Sequence, residues 1–216
     1  MATINDVITR VKLILNDGAL VRWSEAELVM LANDGQREIC SHRPEAHIKT
    51  EEITLQAGPI QYLPSGGTRL LDLIYNSGGK AISLVEKGFL TQVDTSWAVA
   101  PDIADGIIHY MYSQTDPRKF FVYPNATATT KVWGSFTAIP PLLTINDALT
   151  IDDSYLSCLT DFVLFRAFSK DAESAGNAAR ALAHMNAFNA HLNIASQVDV
   201  KVNPYVIEAQ KRQLSE

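Results

Sequence analysis

Glycine and proline are crowded into the middle of this chain. Of its 11 Gly, 8 fall between residues 51 and 150, and of its 9 Pro, 7 fall in the same stretch. Glycine spends backbone entropy in a helix, and proline lacks the amide that a helix needs. A long helix therefore cannot run through the middle, while both flanks are free to be helical. The distribution predicts an α+β fold. Residues 1–50 and 151–195 form a helical bundle, residues 51–150 form an inserted antiparallel β-sheet region, and residues 196–216 form an extended C-terminal tail.

The N-terminal flank carries two helix patterns. Ile4, Val7, Ile8, Val11, Ile14 and Leu15 recur at helical spacing. Thr3 is placed to cap this helix with Asp6 at the capping-box position, and Asn16-Asp17-Gly18 stops it, with Gly18 free to turn left-handed. In the second pattern Ser24 and Glu27 stand three apart as a capping box, and Trp23 and Leu28 flank the cap as a hydrophobic staple. Leu28, Leu31, Ala32, Gly35 and Ile39 then form one stripe, and Gly35 within it implies either a close helix approach or a tolerated cost. Arg43-Pro44 ends the helix, because a residue before proline disfavours helical backbone.

The middle reads as five or six short strands. Ile53 and Leu55 alternate with polar neighbours. Residues 70–75 and 81–85 flank Asn76-Ser77-Gly78-Gly79-Lys80, and residues 107–112 and 119–123 flank Asp116-Pro117-Arg118; both are hairpin signals. Residues 131–138 alternate again before Pro140-Pro141, and residues 86–93 are predicted as a short helix between strands. In the C-terminal flank, Asp152 or Asp153 caps a helix bearing Leu156, Leu159, Phe162, Val163 and Phe168. A second apolar series, Ala181, Leu182, Met185, Phe188 and Leu192, follows a kink or turn at Gly176-Asn177. The pattern fades from Ser196 onward, leaving Pro204-Tyr205-Val206-Ile207 as an apolar island in a polar tail.

Composition excludes several functions. Apolar residues make up 47% and charged residues 19%, which rules out disorder along the whole length. The 18 basic and 24 acidic side chains leave a net charge of −6, and they are evenly spread, so no segment offers the basic stripe that nucleic-acid readout needs. No apolar run approaches a membrane span, and the first residues lack the basic and apolar regions of a secretory signal. Cys40 and Cys158 read as buried thiols of a reducing compartment rather than a disulfide framework.

No catalytic constellation is legible. Ser77-Gly78-Gly79-Lys80 matches S-x-x-K by letter but sits in a Gly-rich turn rather than on the helix that motif needs. His42, His47, His109, His184 and His191 include no i, i+4 pair and no Cys-x-x-Cys accompanies them, so no metal or other cofactor is expected. His184 and His191 stand two turns apart on one helix face. Asp152 and Asp153 fit capping better than metal ligation. Phe120 and Phe121, beside Arg118 and Lys119, are predicted on opposite faces of a strand rather than as a base-stacking platform.

A set of ordered segments carries a resemblance. They are Arg22-Trp23-Ser24-Glu25-Ala26-Glu27-Leu28, Leu31-Ala32-Asn33-Asp34-Gly35-Gln36-Arg37-Glu38-Ile39 and Arg43-Pro44-Glu45-Ala46, then Leu63-Pro64-Ser65-Gly66-Gly67 with Arg69-Leu70-Leu71-Asp72. Asp116-Pro117-Arg118-Lys119-Phe120-Phe121-Val122-Tyr123-Pro124 and Phe165-Arg166-Ala167-Phe168-Ser169-Lys170-Asp171-Ala172-Glu173 follow. In order and spacing, over residues 4–195, this resembles the head-to-tail adaptor proteins of tailed bacteriophages, especially short-tailed ones. The resemblance implies a structural virion protein, not an enzyme, made in the host bacterial cytoplasm and placed at the head–tail junction. It implies a ring, commonly of twelve copies, between the portal and the tail nozzle or tube, which continues the DNA channel without reading sequence and touches no membrane. It also implies a C-terminal tail reaching the portal, here Val198, Val200, Val202, Pro204, Tyr205, Val206 and Ile207. Another phage tail component, such as a tail-tube or fibre-attachment protein, is the alternative reading, ahead of an enzyme. The even acidity suits a conduit, since a lumen that repels phosphates does not trap passing DNA.

Overall fold

The computed structural model describes residues 1–99, 106–174 and 176–202, the side chains of 194–202 excepted. Its chain order is α1 (Ile4–Leu15), α2 (Glu25–His42), β1 (Ile48–Thr54), β2 (Gly58–Tyr62), β3 (Gly67–Asn76), β4 (Ser83–Leu84), α3 (Lys87–Val93), β5 (His109–Tyr112), β6 (Lys119–Ala126), β7 (Lys131–Ala138), α4 (Leu156–Lys170) and α5 (Asn177–Val202). The fold is α+β. Two compact units emerge, one of Met1–Ala46 with Pro140–Glu216 and one of His47–Ile139.

The helical unit is organised on α4, against which α1, α2 and α5 all pack. Its core joins Ile4, Val7, Ile8 and Val11 of α1 to Leu28 and Ile39 of α2, Leu159 and Val163 of α4, and Phe188 and Leu192 of α5. Residues 140–151 belong here: Leu149 and Ile151 are buried in this core and Leu143 packs on it. The α1 cap is a complete capping box. The Thr3 hydroxyl accepts from the Asp6 amide at 3.2 Å, and the Asp6 carboxylate accepts from the Thr3 amide at 2.7 Å. Two local expectations differ. Asn16, not Gly18, takes the left-handed turn at the end of α1 (φ 54°), since a short polar side chain tolerates that conformation. Ile14 follows Val7 and Val11 on the apolar stripe yet is exposed, while the next residue, Leu15, is the one that packs on the core at the end of α1.

At α2 the Ser24 hydroxyl accepts from the Glu27 amide at 3.3 Å. The Glu27 carboxylate accepts from the Lys170 ammonium at 2.7 Å, so it ties α2 to α4. Trp23 and Leu28 are both buried in the core, and α2 ends before Arg43.

The second unit holds two sheets around a shared core. One is β1-β7-β3, wholly antiparallel; the other is β2-β6-β5-β4. The sequence predicted one antiparallel sheet. The turn at 76–80 does form, with the Asn76 amide donating to the Lys80 carbonyl at 2.8 Å. Beyond it the chain crosses over, and β4 pairs parallel with β5 in the other sheet. Asn76 holds this crossing. Its buried side-chain amide donates to the Ile107 carbonyl at 2.7 Å and its carbonyl accepts from the Ile107 amide at 2.8 Å. Phe120 and Phe121 point to opposite faces of β6, into two separate apolar clusters, as alternation requires.

Candidate assembly surfaces

The expected contact tail begins on α5. Val198, Val200 and Val202 lie in its last turns, past the point at Ser196 where the apolar pattern fades. Pro204, Tyr205, Val206 and Ile207 lie outside the described residues.

What holds α5 in place is clear from its first four turns. Gly176 turns the chain with φ 84°, a left-handed conformation open to glycine. Asn177 then reaches back to the Asp171 carboxylate at 2.5 Å. Arg22 from the loop after α1 pairs with the same carboxylate and donates to the Ser174 hydroxyl at 3.1 Å. Further along, the two histidines that share a helix face close on one carboxylate of α4. Asp161 lies 2.9 Å from His184 Nδ1 and 3.4 Å from His191 Nε2. The His184 ring also stacks on Phe168 at 5.7 Å, and Arg180 lies over the same Phe168 ring at 5.7 Å. Asp161 escaped the sequence reading. Its only signal is an acid inside the apolar run of α4, opposite histidines more than a helix away.

The other residues singled out from sequence have structural employment. The Ser77 hydroxyl donates to the Glu52 carboxylate at 2.7 Å. Asp152 accepts from the Ser154 amide at 2.9 Å and Asp153 from the Ala2 amide at 2.7 Å, so both cap backbone donors. Burial pushes the Cys40 thiol up to about 11 and the Cys158 thiol up to about 12, with Glu45 and Asp161 adding to the respective shifts. Both are free thiols. Among the described residues, no group of three His, Cys, Asp or Glu is arranged to hold a metal ion.

One broad groove opens on the sheet unit, about 900 Å³ in volume and lined by Leu84, Lys87, Thr91, Tyr112, Lys119 and Phe121 among others. Lys87 Nζ lies 4.5 Å and Lys119 Nζ 5.2 Å from the Phe121 ring centre, as cation–π contacts. No helix among the described residues is long and apolar enough to cross a membrane.

The helical unit is tied together by caps, ion pairs and the Asp161–His184–His191 contacts. The SU10 adaptor protein model covers residues 2–207, so the chain belongs to that family of bacteriophage head-to-tail adaptors. It is a structural protein of the virion. No curated protein matches it.

Proposed function

We propose that this chain forms a ring, of twelve copies, between the portal and the tail, and that the ring completes the head and continues the DNA channel. The observation that carries this is family membership over nearly the whole chain. In this reading the portal-directed element is the tail from Val198 onward, including Val200, Val202, Pro204, Tyr205, Val206 and Ile207. Repetition supplies the affinity: a weak tail contact made by every copy in a ring becomes strong in sum. The Asp161–His184–His191 clamp and the Phe188 and Leu192 anchors fix the root of that element on α4. The tail nozzle or tube meets another face of the ring, and DNA passes without sequence recognition. Deleting Val198 to Glu216 is expected to leave the thermal unfolding of the helical unit in place and to weaken attachment to portal rings. Particle masses of the full and truncated chains, alone and mixed with portal, read this directly. Full attachment by the truncated chain overturns the tail assignment, and portal particles that gain no copies of the full chain overturn the ring.

A further inference from the structure

Lys131 and Lys170 each hold a carboxylate from another element, Glu52 and Glu27. Lys87 at the start of α3 and Lys119 at the start of β6 do not. Both converge instead on one ring, Phe121, in the groove of the sheet unit. The Lys87 ammonium also lies 6.0 Å from the Trp97 ring centre, and Trp97 meets Phe121 edge to face at 5.8 Å. The ring faces attract these cations without neutralising them, and two like charges beside one ring repel each other. Among the described residues neither ammonium forms an ion pair. Two acids close by in sequence are engaged elsewhere. Asp94 accepts from the Ser96 amide at 2.8 Å, and Asp116 accepts from the Arg118 amide at 2.9 Å. Glu86 shares the groove wall, but no ion pair joins it to either lysine. The walls add an apolar footing, with Leu84 54% exposed and Tyr112 39%.

We infer that this groove takes an acidic segment of the tail nozzle or tube protein, with a carboxylate on Lys87 and Lys119 and apolar side chains against Leu84, Tyr112 and Phe121. This rests on the ring reading above. There the portal is met by residues 198–207, at the end of the other unit, which leaves the groove for the other neighbour. Charge complementarity selects the class of partner. Duplex DNA brings a phosphate about every 1.7 Å along its axis and is held by a row of cations. Two lysines with Glu86 beside them offer no such row, and Glu86 repels the next phosphate. A peptide spaces its carboxylates apart. It sets one on the lysines and neutral residues beside Glu86, and it carries the apolar side chains that Leu84 and Tyr112 can cover.

The test uses the full chain on portal rings with the tail nozzle or tube protein of the same phage. A water-soluble carbodiimide joins a lysine amine to a carboxylate in contact with it; the amide bond forms as the carbodiimide takes up the water and leaves as a urea. Peptide mass spectrometry locates the bonds. Lys87 or Lys119 is expected to be joined to an Asp or Glu of the tail protein. A Lys87→Gln, Lys119→Gln variant should bind the tail protein roughly two- to thirtyfold more weakly per copy, as the loss of two exposed ion pairs requires. Lys87→Arg, Lys119→Arg should restore the binding, and circular dichroism checks that both variants are folded. Bonds from these lysines only to the portal, to another copy or within the chain overturn the assignment, as does undiminished binding by the glutamine variant. Weaker binding of a fluorescein-labelled DNA duplex by that variant, with tail binding unchanged, makes DNA the occupant and overturns it too. If the tail protein binds the rings while neither lysine is joined to it, the groove is wrong and the ring stands. If the tail protein does not bind the rings at all, the ring reading itself has failed.

Discussion

Replacing Gly35 by Ala probes the packing that makes the helical unit one body. Gly35 lies mid-way along α2 where it meets α4. A Cβ at this position falls 2.5 Å from Leu159 Cδ1 and 2.8 Å from Phe162 Cδ1. Leu159 is fully buried and Phe162 nearly so, so neither has free space to retreat into. In an exposed helix the same substitution is stabilising by about 1 kcal/mol. Overpacking a closed core costs about 1–3 kcal/mol. The two effects leave Gly35→Ala between neutral and about 2 kcal/mol destabilising. Leu159→Ala by itself is expected to cost about 2–5 kcal/mol through lost burial and a residual cavity. In that background the nearest obstacle is gone and the Phe162 ring has volume to turn into. Gly35→Ala then becomes stabilising, and the coupling between the two sites reaches about 1–3 kcal/mol. Urea titrations of the four chains, followed by far-UV circular dichroism, measure the cycle. With Trp97 and Trp133 of the sheet unit replaced by Phe, Trp23 fluorescence gives a second probe, since that indole is buried in the same core with its Nε1 donating to the Ala167 carbonyl at 3.3 Å. A stabilisation of about 1 kcal/mol by Gly35→Ala in the native background would refute the close approach, as would additivity across the cycle.

Two further predictions concern titration. Asp17 accepts from the backbone amides of Trp23, Val21 and Arg22, which hold its carboxyl below the usual 3.8. The Thr3 amide and then its hydroxyl lower Asp6, and the Thr144 amide and then its hydroxyl lower Asp147. In each case the unfolded chain takes up the proton first as the pH falls. Stability is therefore full above the ordinary carboxylate range and declines as the pH drops through and below it. Asp17→Asn should flatten that acid limb in urea titrations run across pH, and an unchanged slope would contradict the assigned bonds. For the thiols, Cys158 raised to about 12 and Cys40 to about 11 remain protonated at neutral pH. A thiol-specific reagent at pH 8 should label the buried Cys158 and, to a lesser degree, the half-buried Cys40 more slowly in the folded chain than in urea; rapid labelling of native Cys158 would refute its burial.

Local signals were legible wherever the chemistry is local. The Thr3–Asp6 box, the Ser24 cap, the stop before Pro44 and the turn at Gly176-Asn177 depend on residues within a few positions of each other. The alternation of Phe120 and Phe121 is likewise a property of a single strand. Sheet membership was not legible. β4 has two residues and no pattern of its own, and its place beside β5 depends on the distant Asn76–Ile107 bonds. Asp161 was invisible for the same reason, because its two histidines come from another helix.

The amino-acid sequence by itself determined the helix–sheet–helix division, since glycine and proline act on the backbone wherever they stand. It determined the net charge of −6 and its even spread along the chain, since charge along a sequence is counted rather than folded. Through the order of its segments it also pointed to the adaptor family. Only the tertiary structure decided that residues 140–151 complete the helical core, that two sheets share the middle unit, and that Asp161 of α4 meets His184 and His191 of α5. Those outcomes turn on which surfaces meet, and burial is a property of pairs of segments that no single segment records.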